Sequence, residues 1–172
     1  MPGLYKIFDE ILVNTRDQTI RDSTCKTIKI KIDKENGLIE VWNDGNGIDV
    51  AQHPEYKIWI PEMIFGHLRT STNYNKEEKK IIGGKNGFGF KLVLIYAKWG
   101  EIETIDHIRK KKYTQRFEDN LGKICKPKVT KSTAKPYTKV SWLPDYERFG
   151  LEGLSSDMFQ MFKKFLRAVK SY

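Results

Sequence analysis

Residues 83–92 read GGKNGFGFKL. Four glycines, Gly83, Gly84, Gly87 and Gly89, precede an apolar run of helical character, so backbone N–H groups can approach an anion and a helix N-terminus can add a partial positive charge. The common phosphate loops are excluded by spelling. A Walker loop needs Gly followed directly by Lys and Ser or Thr, whereas Gly89 is followed by Phe90 and Lys91 with no hydroxyl after it. A dinucleotide or kinase glycine loop starting at Gly87 needs a third glycine at position 92, which is Leu92. Two readings stay open on the loop alone: a nonstandard phosphate site, or an ordinary surface turn.

The rest of the chain bounds the choice. Its 172 residues suit one domain, and 39% hydrophobic with 12% aromatic residues is enough to build a core. No apolar run approaches the roughly 18 residues that cross a membrane, and the Met-Pro-Gly start lacks the pattern of a secretory signal, so an intracellular protein is expected. Cys25 and Cys125 stand far apart without metal-ligand spacing and are expected to be ordinary thiols. The net charge of +9 favours a polyanionic neighbour, nucleotide or nucleic acid, without specifying a function.

Working outward along the chain, Leu4, Ile7, Phe8 and Ile11 form the apolar stripe of an amphipathic helix. On the same helix Glu10, Asn14 and Asp17 form a polar stripe, since offsets of four and seven residues return to within about 60° at roughly 100° per residue. Thr27 to Asp33 and Leu38 to Trp42 alternate at period two around a KENG turn and predict a β-hairpin. A helix opened by Pro61 and Glu62 follows, then the polar stretch TSTNYNKEEKK (70–80), a candidate lid. FKLVLIYAKW (90–99) is apolar enough for a buried helix, with Gly100 as its stop. Three further strands are expected in EIETIDH, KKKYTQRFED and YTKVSWLP. A last helix carries Met158, Met161, Phe162 and Phe165 on its core face, after the cap candidates Ser155 and Ser156. This order is α+β and disfavours a strict βαβ fold.

Two other segments carry possible chemistry. Glu10 with Asn14 suits a general base beside an oxygen ligand for Mg²⁺, or equally a solvated polar face. NDGNGI (43–48) suits a hairpin turn, or a base-recognition turn in which Asp44 accepts from an exocyclic amine while Gly45 and Gly47 remove bulk. A calcium loop is disfavoured, because Ile48 occupies a ligand position and Asp49 the position that needs glycine.

Taken together and in this order, E-x-x-x-N on a helix, D-x-G-x-G after a strand and a glycine loop after a polar stretch resemble the GHKL ATPase superfamily. KIFDEILVN, NDGNGI, IPEMIFGHL, TSTNYN, GGKNGFG and YTKVSW narrow the likeness to the ATPase domain of eukaryotic-type type IIA DNA topoisomerases, over nearly the whole chain. The resemblance implies a Bergerat-type fold: a mixed, mostly antiparallel sheet with helices on one face forming an ATP pocket. It implies Glu10 as the base that activates water, Asn14 as the Mg²⁺ ligand and Asp44 as the reader of the adenine amine, with Thr138 assisting. Ser71, Thr72 and Asn73 would touch ribose and phosphates, and Lys85, Asn86, Gly87, Phe88, Gly89 and Lys91 would wrap the triphosphate.

The same resemblance implies ATP and Mg²⁺ as cofactors, a DNA partner and a homodimer in the full-length enzyme, and a nuclear or viral-replication-site location. No membrane partner is expected. This chain departs from the family at Lys85, Phe88 and Phe90, where Arg, Tyr and Ala are usual, at Thr72 for Ser, and at Thr15 and Arg16, which replace two small residues. Lys for Arg keeps charge but loses a bidentate fork. A single nucleotide-binding domain over 1–172 is expected, without the family's N-terminal strap or downstream transducer, and hence a weak ATPase when alone. Other GHKL ATPases, of MutL, chaperone or kinase type, and a nonenzymatic basic nucleic-acid module are the rival classes. The basic run Arg109 to Lys112 is either a DNA patch or a solvated turn face.

Overall fold

Alternation of apolar and polar side chains gives a strand one dry face and one wet face, and this pattern builds the sheet at the centre of the molecule. The computed structural model describes residues 3–9, 23–67 and 93–170, with side chains of the last helix as far as Lys164. Strands β1 (Ile28–Ile32) and β2 (Ile39–Asn43) form the expected hairpin, and β3 (Ala97–Asp106), β4 (Lys111–Glu118), β5 (Lys123–Ile124), β6 (Lys128–Lys131) and β7 (Thr138–Pro144) follow. The order across the sheet is β1-β2-β7-β3-β4-β5, with β6 also paired to β4, and every pairing is antiparallel.

The registers align residues into rows across the dry face. One row runs Ile32, Ile39, Trp142, Gly100 and Phe117, and the next Ile30, Val41, Val140, Ile102 and Gln115. The third runs Ile28, Asn43, Thr138, Thr104, Tyr113 and Val129. The first two rows are almost wholly apolar and belong to the core. In the third, three polar side chains stand side by side at the centre of the sheet. On the wet face opposite charges neighbour one another: Glu103 pairs with Lys112 at 3.0 Å and Lys139 at 3.2 Å.

Helices cover the dry face. The segment over 3–9 (α1) brings Leu4 and Phe8 into the core, and α2 (Ile60–Gly66), with Pro61 in its first turn, buries Met63, Ile64 and Phe65. The last helix, α3 (Ser156–Lys170), is capped by Ser155, whose Oγ accepts from the Met158 N–H at 3.2 Å. Its Phe162 stacks on Phe8 with ring centroids 4.0 Å apart.

Three expectations need correction. FKLVLIYAKW is not one helix: a helical turn over 93–95 gives way to β3 at Ala97. Gly100 lies inside that strand, because a Cβ there would collide with the Leu94 side chain that packs over it. The strands after the glycine loop number five rather than three. The short β5 and β6 carry exposed lysines, a composition that hides strand pairing from a pattern search and protects a sheet edge from further pairing. Met161 is 43% exposed and lies outside the core that Met158 and Phe162 join.

The two neighbours on α3 should therefore respond oppositely to truncation. Phe162→Ala, at a position 0% exposed, is expected to cost about 3–5 kcal/mol. Met161→Ala should stay within about 0.5 kcal/mol. Urea unfolding midpoints of the two variants check both values.

Candidate functional site

Where β2 ends, the chain leaves the sheet through Asp44, Gly45, Asn46, Gly47 and Ile48. Its entry is tied to the segment that leads into β1: Asp44 N–H donates to the Thr27 carbonyl at 3.3 Å, and Asp44 Oδ1 accepts from the Lys26 and Thr27 N–H groups, both at 2.8 Å. The Gly45 N–H donates to Asn43 Oδ1 at 3.1 Å. Its exit is tied to β3: Ile48 N–H donates to Thr104 Oγ1 and Val50 N–H to Asp106 Oδ2, each at 3.0 Å. Between these anchors Gly47 adopts a φ of 76°, and any Cβ there would run into the Ile105 carbonyl oxygen. Glycine is thus required twice over, by conformation and by space.

Thr138 opens β7 and is the Cα partner of both Asn43 and Thr104. Its Oγ1 lies 3.0 Å from Thr104 Oγ1, which also donates to the Tyr137 carbonyl at 3.1 Å. Asp44 and Thr138 therefore sit at the same edge of the sheet.

Both carboxylates of this region are held in the charged form. Hydrogen bonding from the Thr27 N–H, helped by the Lys26 N–H, outweighs partial burial and lowers the pKa of Asp44. At neutral pH Asp44 is accordingly an acceptor only. For Asp106, 3% exposed, burial is the largest influence and pushes the pKa up. The N–H groups of Val50 and Arg109 and the Arg109 guanidinium, 2.9 Å away, together overcome it and leave the pKa below the usual value.

Of the residues expected at the site, Asp44 and Thr138 are described and are brought together. Glu10, Asn14, Ser71, Thr72, Asn73, Lys85, Asn86, Gly87, Phe88, Gly89 and Lys91 lie outside the described residues. Two residues that hold the site were missed, Thr104 and Asp106. Their signal was present in the alternation of EIETIDH: both fall in phase with buried Ile102, so both are polar side chains on the dry face. The basic run is mostly engaged within the domain. Arg109 pairs with Asp106 and Asp49, Lys112 pairs with Glu103, and the Lys111 ammonium lies 6.0 Å from the Trp59 ring.

Two measurements check this geometry. Gly47→Ala should lower stability by roughly 2 kcal/mol or more, from the left-handed backbone and the carbonyl overlap, read from the urea midpoint. Because the folded pKa of Asp106 lies below its ordinary value of 3.8, its contribution is complete above that pH and is lost as pH falls through the lowered value. Unfolding curves between pH 7 and pH 2 should show this loss, and Asp106→Asn should be less stable at neutral pH and flatter in acid.

Comparison with known proteins extends these observations. Residues 2–146 match the family described as histidine kinase-, DNA gyrase B- and HSP90-like ATPase. The chain is 51% identical over 164 residues to DNA topoisomerase 2 of Acanthamoeba polyphaga mimivirus and 47% identical over 165 residues to that of Candida albicans. These matches cover 95% of the chain but only 13% and 11% of the two relatives. The crystal structure of the ATPase region of Saccharomyces cerevisiae topoisomerase II matches with a TM-score of 0.83 and 46% identity, over 95% of this chain and 44% of that one. The 43K ATPase domain of Thermus thermophilus gyrase B matches with a TM-score of 0.69 at 21% identity, over 92% of this chain and 38% of that one, a likeness of fold alone. The α+β architecture is thus the GHKL ATPase fold, and the chain belongs to the histidine kinase-, DNA gyrase B- and HSP90-like ATPase family.

Proposed function

We propose that this chain is the ATP-binding and ATP-hydrolysing domain of a type IIA DNA topoisomerase. The observation that carries the reading is the acceptor-only Asp44 turn set beside Thr138, in a chain 51% identical to a viral DNA topoisomerase 2. Asp44 accepts a hydrogen bond from the adenine amine, and Thr138 adds a second polar contact at the base. The polar face of the sheet edge can discriminate between bases because an unmatched buried polar group is costly.

In this proposal Glu10 takes a proton from water as its oxygen attacks the terminal phosphorus, and ADP leaves. Mg²⁺ supplies charge neutralisation at the phosphates, and the amide oxygen of Asn14 suits this oxygen-seeking ion. Ser71, Thr72 and Asn73 contact ribose and phosphates. Lys85, Asn86, Gly87, Phe88, Gly89 and Lys91 surround the triphosphate with backbone N–H groups and positive charge. ATP-driven closure of a homodimer around DNA, in the nucleus or at a viral replication site, is the wider role. Alone, the domain is a weak ATPase.

Isothermal titration with a nonhydrolysable ATP analogue and Mg²⁺ tests this. The unaltered chain should bind and prefer adenine over guanine. Asp44→Asn should weaken binding at least about tenfold, the loss expected for a hydrogen bond to a charged group, and Asn14→Ala should weaken it in the presence of Mg²⁺. A folded chain that binds no nucleotide at near-millimolar concentration rejects the proposal.

A further inference from the structure

Thr104 is 0% exposed, so its hydroxyl bonds within the protein or not at all. Three groups lie within reach of its Oγ1: the Ile48 N–H at 3.0 Å, the Tyr137 carbonyl at 3.1 Å and Thr138 Oγ1 at 3.0 Å. A hydroxyl has one proton to give and two lone pairs to receive. The Ile48 N–H can only donate, and the Tyr137 carbonyl can only accept. All three contacts are satisfied together in one arrangement: Thr104 donates to Tyr137 and accepts from both Ile48 and the Thr138 hydroxyl. If Thr104 donated to Thr138 instead, the Tyr137 carbonyl would keep only its bond from the Ile105 N–H at 3.0 Å, and the cluster would hold one hydrogen bond fewer.

With its proton committed to Thr104, Thr138 has only lone pairs left for a ligand. Asp44, one residue beyond the Asn43 that pairs with Thr138, is likewise an acceptor. We propose that Thr104 is a specificity-positioning residue that selects a 6-aminopurine over a 6-oxopurine by holding the Thr138 proton away from the base. A 6-amino group donates to both acceptors, directly or through a water, whereas a 6-oxygen facing the same pair has no donor. This inference rests on the nucleotide reading above and identifies which chemical feature of the base is read and by what. Thr104 itself touches no ligand.

The test compares dissociation constants for ADP and IDP, with Mg²⁺, on the 172-residue chain. These nucleotides differ at position 6 and at the N1 proton of the purine. The unaltered chain should favour ADP. Thr104→Val frees the Thr138 proton and should narrow the ADP-to-IDP ratio about fivefold, the scale of one hydrogen bond. Thr104→Ser, which keeps the hydroxyl, should restore the ratio. In a Thr138→Val background the Thr104 substitution should no longer move it. If the valine variant does not fold, Thr104→Ala removes the same hydroxyl without placing a methyl near the Tyr137 carbonyl and gives the same readout.

A purely structural role would weaken ADP and IDP by the same factor in Thr104→Val, and that result overturns the inference while leaving the nucleotide site intact. An unaltered chain that binds neither nucleotide overturns the site and this inference together.

Discussion

Asp106 is a charged side chain placed almost entirely out of water, and such a group persists only where hydrogen bonds replace its hydration. The Ile108 and Arg109 N–H groups and the Arg109 guanidinium come from the adjoining β3–β4 turn, so they form with the hairpin itself. The Val50 N–H comes from 56 residues earlier, at the end of the glycine-bearing turn after β2. Satisfying this carboxylate therefore draws the turn onto β3. Once Val50 is anchored there, Gly47 must pass against the Ile105 carbonyl and Ile48 must meet Thr104. The local shape of the site follows from that one desolvated charge.

The sheet separates stability from recognition by rows. The two apolar rows and the helices over them supply the buried surface, with Phe8 against Phe162 and Trp142 beneath. The third row interrupts that surface with Asn43, Thr138 and Thr104, polar groups whose mutual hydrogen bonds and turn contacts offset their desolvation. Polar groups in this setting are held in fixed orientations, which is what discrimination between ligands requires.

Charge follows a similar division. The formal +9 suggests a strongly basic surface, yet several of its cations are engaged at short range. Glu103 takes two lysines, and Arg109 faces Asp49 and Asp106. Such pairs on a solvated face contribute little stability each, but they reduce the field that the run Arg109 to Lys112 presents to a polyanion. Net charge is a sum over the chain, while binding responds to charges that remain uncompensated in one place.

Local chemistry was readable from the residues alone. Period-two alternation placed β1 and β2, Pro61 marked the start of α2, Ser155 marked the start of α3, and the Asp-x-Gly-x-Gly spacing singled out Asp44 and Gly47. Each of these depends on residues a few positions apart, and backbone geometry ties such neighbours directly to conformation. The fate of Gly100 inside β3, the exposure of Met161 and the roles of Thr104 and Asp106 were not readable in that way. Their partners come from other elements: Leu94 packs over Gly100, Ile48 lies 56 residues from Thr104, and Thr138 lies 34 residues from it. A hydroxyl or a carboxylate carries the same letter whether water or a folded neighbour satisfies it. Chain folding settles which one does, because burial removes the water and leaves only the partners that the sheet register brings within reach.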